Sequence, residues 1–509
     1  MFVTIRSMGL LGLDAYPVYV ETDLSKKQMP VFDIIGLPDT AVKESRERVR
    51  SSIKNSGMLF PGGGIVVNLA PAGVKKTGSL YDLPILVSIL AAAGAISEDI
   101  SSSAFVGELS LGGDIRPVRG ALPMTIAAMQ QGMKRIFLPY DSAGEASFVD
   151  GIDVIPVKNV AELTSMLTGK SAIKPMDRKK PEAGHAVMNI DMSEVRGQFA
   201  AKRALEIAAC GGHNILLIGS PGAGKSMLAK RLPTILPEMT QEEIIETSKI
   251  HSIAGELDSS GELVTVRPFR SPHHTVSTAG LAGGGSVPAP GEISLAHNGV
   301  LFLDELPEFS RAAMEILRQP VEDGKITISR ANASLTYPCS IMLVAAMNPC
   351  PCGFFGHPSK QCTCTPQQVS KYLGKISGPL LDRFDLHIEV PPVDFSELAG
   401  SDEVESSETI RKRVNRVRKM QSERYKGTGI SCSAAMTPGA VRKYCVMDDS
   451  ARELMMKTFD SLGLSARAYD KILKIARTIA DMADSETIRT EHIFEAVQYR
   501  SLDKKYWSN

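Results

Sequence analysis

A strand, a glycine-rich loop and a helix follow one another near the middle of the chain, and this order constrains its fold more than any other feature. The loop fits the pattern G-x-x-x-x-G-K-[ST] and consists of Gly219, Ser220, Pro221, Gly222, Ala223, Gly224, Lys225 and Ser226. The mostly apolar residues 214–218 before it are typical of a buried parallel strand, and residues 227–232 after it are typical of a helix. Such a loop surrounds phosphate oxygens with backbone N–H groups, and the helix N-terminus adds partial positive charge. We therefore expect an α/β fold with a nucleotide site, where Lys225 reaches the β- and γ-phosphates and the Ser226 hydroxyl ligates Mg²⁺.

A second apolar strand ends in two carboxylates. Residues 300–303 are apolar, and Asp304 and Glu305 follow them directly. A carboxylate at the end of a strand beside a phosphate-binding loop can hold Mg²⁺, so we expect Asp304 to do this near Ser226. We expect Glu305 to orient or polarise the water that attacks the γ-phosphate. The two motifs together predict ATP hydrolysis.

The composition limits which partners and compartments are expected. Lys plus Arg and Asp plus Glu number 57 each in 509 residues, so any contact with nucleic acid must come from local patches. The first 25 residues lack the regions of a signal peptide, and the longest apolar run, 83–96, is too short to cross a bilayer. Four of the eight cysteines fall within 350–364, which disfavours a secreted disulfide scaffold. We therefore expect a cytoplasmic protein with no membrane partner.

Residues 1–168 are predicted to form a first domain, joined to the rest by a polar linker at 169–187 that is rich in proline and glycine. The segments 68–72 (NLAPA) and 106–118 (VGELSLGGDIRPV) resemble the C-terminal domain of Lon proteases. The resemblance implies a two-layer α+β fold of the Lon-protease-like, ribosomal-S5-like kind.

Peptidase activity is not expected of this domain. Lon-type proteolysis uses a serine nucleophile that a lysine activates. The chain has no counterpart of the serine-bearing segment of that family before Asp82, and residues 119–123 (RGALP) stand where its lysine should follow. Ser79 beside Lys75 or Lys76 is the remaining alternative pair.

The remainder of the chain resembles the Mg-chelatase-like AAA+ ATPases of the YifB/ComM group. The segments that carry this resemblance are 269–274 (FRSPHH), 348–353 (NPCPCG) and 377–385 (SGPLLDRFD). The likeness covers essentially the whole chain, including the N-terminal domain. It implies a P-loop AAA+ core with a parallel sheet at 188–395 and a helical C-terminal lid at 396–509.

The same resemblance implies roles for three further residues. Asn348, at the end of an apolar strand, corresponds to the first sensor, which contacts the γ-phosphate or the water. Arg383 corresponds to the arginine finger placed in the neighbour's active site; the alternative is a salt bridge with Asp382 or Asp385. Arg467, at the start of an amphipathic helix, corresponds to the second sensor in the lid. The expected assembly is a homo-hexamer that uses ATP and Mg²⁺.

Four cysteines form two C-x-C pairs with nine residues between the pairs: Cys350, Cys352, Cys362 and Cys364. Four thiolates so spaced could hold a tetrahedral Zn²⁺, although C-x₂-C is the commoner spacing in structural zinc sites. The pattern leaves three interpretations open, namely a zinc site, reduced thiols in a loop, and reversible disulfides.

Two stretches favour a DNA motor. In the AAA+ clade that includes MCM helicases and Mg-chelatases, two insertions point into the pore, and residues 274–291 and the hairpin-like 325–338 fit them. Arg330 near the hairpin tip and Lys325 at its base would contact phosphates, and residues 411–419 add a basic helix. The likeness to ComM-like members implies single-stranded or branched DNA as the partner, with ATP-driven branch migration in recombination or natural transformation. The alternatives are a Mg-chelatase-like motor subunit acting on a protein or tetrapyrrole partner, and ATP-dependent proteolysis.

Overall fold

The computed structural model describes residues 1–25, 30–181, 190–257, 260–285, 288–330, 333–393, 404–500 and 502–507. It divides the chain into two compact units, Met1–Glu182 with Gln241–Val264, and Ala183–Thr240 with Thr265–Asn509. Part of the expected linker, 182–187, and the expected boundary between residues 395 and 396 lie outside the described residues. The described residues of the expected lid therefore fall in the same unit as the glycine-rich loop and its sheet.

Among the described residues, the first unit contains nine strands and six helices. Its strands are β1 Phe2–Leu11, β2 Asp14–Ser25, β3 Val31–Ile35, β4 Gly64–Ala70, β5 Ser103–Phe105, β6 Glu108–Leu109, β7 Ile115–Arg116, β8 Arg135–Pro139 and β9 Asp153–Val157. Its helices are α1 Thr40–Asn55, α2 Asp82–Ala92, α3 Ala121–Gln130, α4 Tyr140–Ala146, α5 Val160–Leu167 and, from further along the chain, α8 Gln241–Ala254.

Seven of these strands form one mixed sheet with the order β3-β4-β2-β1-β5-β8-β9. Helix α2 packs on β1 and β2, and every one of its residues except Ala91 is buried. Helix α1 begins where the Asp39 carboxylate accepts a hydrogen bond from the Val42 N–H at 2.8 Å. A sheet covered by helices in this way confirms the predicted α+β fold of the N-terminal domain.

Helix α8 and the loop after it pack with this first unit, although the sequence places them after the glycine-rich loop. The backbone N–H of Gly120, just before α3, donates to the Ser252 carbonyl oxygen of α8 at 3.2 Å. A Cβ added to Gly144 would lie 2.9 Å from the Ser260 carbonyl oxygen, so the loop approaches α4 closely. The segment 241–264, which the sequence assigns to the ATPase core, is thus packed with residues of the N-terminal part of the chain.

The second unit contains the predicted nucleotide site. Its strands are β10 Ile215–Ile218, β11 Phe269–Arg270, β12 Gly283–Gly284, β13 Ala289–Pro290, β14 Val300–Leu303, β15 Lys325–Arg330, β16 Ala333–Pro338, β17 Met342–Met347 and β18 Leu386–Glu389. Its helices are α6 Phe199–Gly211, α7 Lys225–Ile235, α9 Thr278–Ala282, α10 Glu292–Leu295, α11 Arg311–Ile316, α12 Arg318–Asp323, α13 Pro366–Leu373, α14 Gly378–Leu381, α15 Ser407–Arg424, α16 Pro438–Tyr444, α17 Asp449–Leu462, α18 Ala466–Met482, α19 Thr490–Gln498 and α20 Leu502–Trp507.

A five-stranded parallel sheet organises this unit, with the order β11-β14-β17-β10-β18. Strand β10, which leads into the glycine-rich loop, lies between β17 and β18, and all of its residues are buried. Because the strands are parallel, the carboxyl ends of β10, β14 and β17 meet at one edge of the sheet. The predicted parallel sheet is confirmed.

The helical C-terminal region shares a hydrophobic core with this sheet, and the basic helix contributes its charges to that packing. Arg413 of α15 pairs with Glu206 at 2.6 Å, and Arg416 pairs with Asp484 at 2.7 Å. Arg424 donates to both oxygens of the buried Asp481 at 2.7 Å. Two charges of the basic pattern at 411–419, Arg413 and Arg416, therefore have a structural explanation that needs no DNA.

None of the helices in the described residues is both long enough and apolar enough to cross a membrane.

Candidate active site

The glycine-rich loop, β14 and β17 line one cavity at the carboxyl edge of the parallel sheet. Its volume is about 380 Å³. It is lined by Pro221, Gly222, Gly224, Lys225, Ser226, Met227, Asp304, Glu305, Met347 and Asn348. Gly222 and Gly224 have φ angles of 81° and 92°, values that side chains disfavour, so the loop needs glycine at both positions. The sequence motifs that were predicted separately therefore meet in one place.

The Lys225 ammonium is held by three oxygen acceptors. Its Nζ donates to the carbonyl oxygens of Gly219 and Ser220 at 2.7 and 2.9 Å, and to the Asn348 side-chain oxygen at 3.1 Å. Burial lowers the pKa of Lys225, and the nearby carboxylates of Asp304 and Glu305 oppose that change. These hydrogen bonds keep the Lys225 ammonium at the glycine-rich loop and link it to Asn348 at the end of β17.

Ser226 and Asp304 present two oxygens to the same point of the cavity. The Ser226 hydroxyl donates to the Asp304 Oδ2 at 2.6 Å. Adjacent oxygen ligands of an octahedral Mg²⁺ stand about 3 Å apart, and Mg²⁺ in proteins takes oxygen ligands together with water and substrate phosphates. The donor set therefore fits Mg²⁺, with Ser226 and Asp304 as the residues that would hold it.

Glu305 lies beside a histidine that sequence reasoning did not single out. The Glu305 backbone is left-handed, with φ 54°, and its side chain is 58% exposed at the edge of the cavity. The Nδ1 of His274 stands 3.4 Å from its Oε2, and the His274 ring lies 4.1 Å from the ring of His273. The sheet brings the two together, because His274 follows strand β11, which is the neighbour of β14.

Arg383 and Arg467 lie outside this cavity. Arg383 follows α14 and donates to Glu322, rather than to Asp382 or Asp385, the two partners considered from sequence. Arg467 is exposed in the first turn of α18 and does not line the cavity. Their assigned roles stay predictions, and of the expected catalytic residues only Glu305 and Asn348 come together with the glycine-rich loop within one chain.

The four clustered cysteines converge on one point. Their sulfur atoms all lie within 4.8 Å of one another, and the Cys350–Cys352, Cys352–Cys362 and Cys350–Cys362 separations are 3.4, 3.5 and 3.7 Å. All eight cysteines are unbridged. Sulfurs bound to a tetrahedral Zn²⁺ at 2.3 Å stand about 3.8 Å apart, so the geometry fits zinc. Backbone N–H groups of Cys352 and Phe355 donate to the sulfurs of Cys364 and Cys350 at 3.4 and 3.3 Å, which favours thiolates.

The cysteine loop also braces the glycine-rich loop. A Cβ added to Gly353 would lie 2.4 Å from the Pro221 Cδ, so the two loops are in direct contact. On another side, the Gln198 Nε2 donates to the Ala223 carbonyl oxygen at 3.2 Å and to the Pro391 carbonyl oxygen at 2.6 Å. Sequence reasoning missed both supports, because neither belongs to the glycine-rich pattern.

The two stretches expected at a pore pack against each other. Strands β15 and β16 pair in antiparallel register from Lys325 with Pro338 to Arg330 with Ala333, while the predicted turn at residues 331–332 lies outside the described residues. The Tyr337 hydroxyl donates to the Pro288 carbonyl oxygen at 2.8 Å. The outer face of the hairpin is polar, with paired hydroxyls of Thr327 and Thr336 at 2.9 Å.

The alternative serine–lysine pair of the N-terminal unit is not formed. The Ser79 hydroxyl donates to Glu108, and the buried Lys76 ammonium donates to the Pro71 carbonyl oxygen. Burial lowers the pKa of Lys76. Ser79 and Lys76 therefore each have another partner, and no hydrogen bond joins the Ser79 hydroxyl to the Lys76 ammonium.

Comparison with known proteins extends the resemblance to the whole chain. Family models described as magnesium chelatase, subunit ChlI; subunit ChlI of Mg-chelatase; and magnesium chelatase, subunit ChlI C-terminal match residues 191–398, 20–142 and 404–500. The protein YifB of Escherichia coli (strain K12) is 42% identical over 506 residues, covering 98% of this chain and 97% of its own. Competence protein ComM of Haemophilus influenzae (strain ATCC 51907 / DSM 11121 / KW20 / Rd) is 41% identical over 504 residues, with the same coverage of both chains. Lon protease 2 of Bacillus subtilis (strain 168) is 29% identical over 140 residues, covering 27% of this chain and 24% of its own.

Proposed function

The chain belongs to the magnesium chelatase ChlI family, in the group of YifB and ComM, and from this premise we propose that it is a ring-forming ATPase that uses ATP hydrolysis to remodel DNA. AAA+ proteins of the magnesium chelatase family are ATPases in general. The observation that carries the proposal is the meeting of the Lys225 ammonium, the Ser226–Asp304 oxygen pair, Glu305 and Asn348 in one cavity.

Each of these residues has a task that its geometry suits. Lys225, already held by backbone oxygens, exchanges those contacts for the β- and γ-phosphates of ATP. Ser226 and Asp304 would hold Mg²⁺, which would supply positive charge to the phosphate oxygens. Glu305 orients the attacking water, and Asn348 reports the state of the γ-phosphate to Lys225 through its 3.1 Å hydrogen bond.

Residues from two copies of the chain complete the site in this proposal. Arg383 supplies a guanidinium to the phosphates of the neighbouring subunit, and Arg467 of the lid acts as the second sensor. An arginine supplied in trans typically contributes 10³–10⁵-fold to related hydrolysis rates, so assembly would control activity. We propose a homo-hexamer, as the likeness to ring-forming AAA+ ATPases implies, in which head-to-tail contacts of one kind close the ring.

Single-stranded or branched DNA is the proposed substrate of the motor. The competence name of the Haemophilus influenzae relative supports this choice, with branch migration in recombination or natural transformation as the process. In the chain itself, the hairpin β15–β16 contacts the glycine- and proline-rich stretch before α10, where the Tyr337 hydroxyl donates to the Pro288 carbonyl oxygen. Lys325 and Arg330 bring positive charge to it, and binding should weaken steeply with salt.

The test is strand exchange or fork unwinding with ATP. Lys225→Ala should lose ATP hydrolysis and unwinding, and Arg330→Ala should lose DNA binding and unwinding while its basal ATPase rate stays unchanged. Ser329→Ala, next to Arg330 and exposed on the hairpin, is the matched control. Full hydrolysis by Lys225→Ala would contradict the site assignment, and full DNA binding by Arg330→Ala would contradict the role of the hairpin.

The four cysteines carry a second proposal, a structural Zn²⁺ site. Cys350, Cys352, Cys362 and Cys364 would hold the ion, which fixes the loop that contacts Pro221. Purified protein should contain one zinc per chain by elemental analysis, and Cys362→Ser should lower that content. Protein made in zinc-supplemented medium that lacks the metal would contradict the proposal.

A Mg-chelatase-like motor subunit acting on a protein or tetrapyrrole partner is the second candidate function. The observation that favours it is the match of all three ChlI family models. Saturable binding of a porphyrin to the wild-type protein would favour this candidate over the first, if the wild-type protein also binds DNA no more strongly than Arg330→Ala does.

A further inference from the structure

A second charged cavity in the ATPase unit contains two arginines and their counter-ions. Its volume is about 260 Å³. It is lined by Glu315, Arg318, Gln319, Glu322, Asp323 and Arg383. It shares no lining residue with the cavity at the glycine-rich loop, so its arginines do not face the nucleotide site of their own chain.

The two arginines are connected to each other. Arg383 donates through Nη2 to the Glu322 carboxylate and through Nε to the Arg318 carbonyl oxygen at 3.5 Å. Arg318 donates through Nη1 to Glu315 at 2.6 Å. The position of Arg383 therefore depends on the backbone of Arg318, and both guanidiniums stand on the same short stretch of surface.

Arg318 has an unused donor. Its Nε is buried and has no hydrogen-bond partner in the structure, although the guanidinium as a whole is partly exposed, with the side chain at 39%. An unsatisfied buried donor is costly, and a guanidinium that presents its edge to an anion satisfies such a donor through a bidentate contact. The structure thus contains a planar cation suited to a phosphate or carboxylate that the lone chain does not supply.

The nucleotide cavity contains few cations for a site that would hold a triphosphate. Its lining contains one cation, Lys225, and two carboxylates, Asp304 and Glu305, whereas a bound triphosphate adds further negative charge. Arginine is the residue best suited to bidentate contact with phosphate. The two cavities share no lining residue, so the arginines of one copy reach nucleotide phosphates only in a neighbouring copy that associates head to tail.

We propose that Arg318 acts together with Arg383 on the nucleotide phosphates of the neighbouring subunit, and that Glu315 and Glu322 hold the two guanidiniums until that contact forms. This rests on the proposed shared site and adds a second arginine to it. When the subunits close, the phosphate oxygens replace the carboxylates as acceptors. The contact satisfies the Arg318 Nε and fixes the backbone oxygen that orients Arg383.

The proposal predicts a specific defect. Arg318→Ala should lower kcat for ATP hydrolysis by about tenfold or more, because a preorganised donor to the transferring phosphate is lost. Its affinity for a fluorescent ATP analogue should stay within about twofold of wild type, since Lys225, Ser226 and Asp304 are intact. Gln319→Ala removes an exposed, uncharged side chain from the same cavity and should leave both quantities unchanged.

Mixing two impaired variants, Arg318→Ala and Lys225→Ala, decides whether Arg318 acts in trans. Arg318→Ala keeps its own nucleotide site, and Lys225→Ala keeps its own arginines. An equimolar mixture should recover about a quarter of the wild-type rate, because half of the subunits in a random ring keep Lys225 and half of those receive an intact Arg318. Arg318→Lys keeps the positive charge and replaces Arg318→Ala in the mixture if the latter does not assemble.

The outcomes separate this proposal from the proposed function. Suppose that Lys225→Ala recovers ATPase activity when mixed with Arg383→Ala but not when mixed with the Arg318 variant. This result would overturn the role of Arg318 and leave the shared site standing. Recovery with neither would overturn the shared site and this proposal with it. Full activity of Arg318→Ala alone would also overturn the inference.

Discussion

Replacing Gly353 with alanine should weaken nucleotide binding although Gly353 does not line the nucleotide cavity. Gly353 belongs to the cysteine loop and has a φ angle of 83°. An added Cβ would lie 2.4 Å from the Cδ of Pro221, which does line the cavity. Either the cysteine loop or the glycine-rich loop must move to relieve that contact.

Two separate costs follow from this geometry. A left-handed backbone costs a non-glycine residue about 1–2 kcal/mol, and this cost appears in the free energy of unfolding whether or not nucleotide is bound. Overpacking against Pro221 adds about 1–3 kcal/mol. If about 1.4 kcal/mol of the second cost falls on the loop in its nucleotide-bound form, the Kd for ATP rises about tenfold.

Gly356→Ala separates the two costs. Gly356 lies three residues further along the same loop with a φ angle of 76°, and no atom stands within 4 Å of its added Cβ. Both variants should lose about 1 kcal/mol or more in chemical denaturation. Only Gly353→Ala should show a raised Kd in a titration with a fluorescent ATP analogue. Equal affinities of the two variants would refute the claim that the cysteine loop positions the glycine-rich loop.

Three further predictions concern buried or paired charges. Arg48→Ala should lower the free energy of unfolding of the N-terminal unit, measured in urea, by about 3–5 kcal/mol. The substitution removes the counter-ion of the fully buried Asp82, which Arg48 contacts at 2.6 Å. A loss under about 1 kcal/mol would contradict this prediction. Burial raises the pKa of Glu145 to about 7, although backbone N–H groups that donate to the carboxylate oppose this change. Between about pH 4.5 and 7, the Glu145 carboxyl therefore keeps its proton in the folded protein and loses it in the unfolded protein. Stability should therefore fall as pH rises through that window, by up to about 3 kcal/mol, and Glu145→Gln should flatten the profile. Glu322→Gln should lower the protein concentration that gives the half-maximal ATPase rate by up to about fivefold. The reason is that the partly exposed ion pair of Glu322 with Arg383, which competes with the contact between subunits, contributes up to about 1 kcal/mol. A rise in that concentration would contradict the idea that Arg383 exchanges Glu322 for a phosphate.

Local patterns predicted the parts of the site that one segment of chain determines. The glycine-rich loop has a fixed order of strand, loop and helix, and Asp304 follows a run of four apolar residues, so both could be placed without knowledge of packing. The parallel sheet then brings Lys225, Asp304 and Asn348 together, because their strands end at one edge.

Other features depend on contacts between distant segments and could not be read from the sequence. The sequence of helix α8 would show the same pattern of apolar residues whether the helix packed on the first unit or on the second. Only its packing on α3 shows that it belongs to the unit of the N-terminal residues. The charges of α15 suggested nucleic acid because their partners, such as Glu206 and Asp484, lie far away in the chain. His274 belongs to a segment noted only for its resemblance, and its closeness to Glu305 appears once β11 is placed beside β14.

The acidic partners of the arginines bear on why a single chain would be a poor ATPase. A guanidinium that is already neutralised by Glu322 gains little by approaching a phosphate unless the new contact is better oriented or less solvated than the old one. Burial between subunits provides both conditions, because water leaves the contact and the electrostatic attraction of a polyanion strengthens. The same carboxylates that keep the arginines in place in the free subunit would then make hydrolysis depend on closure of the ring. This reasoning predicts that Glu322→Gln and Arg318→Ala change the dependence of rate on protein concentration in opposite directions, which a purely structural role for the cluster would not produce.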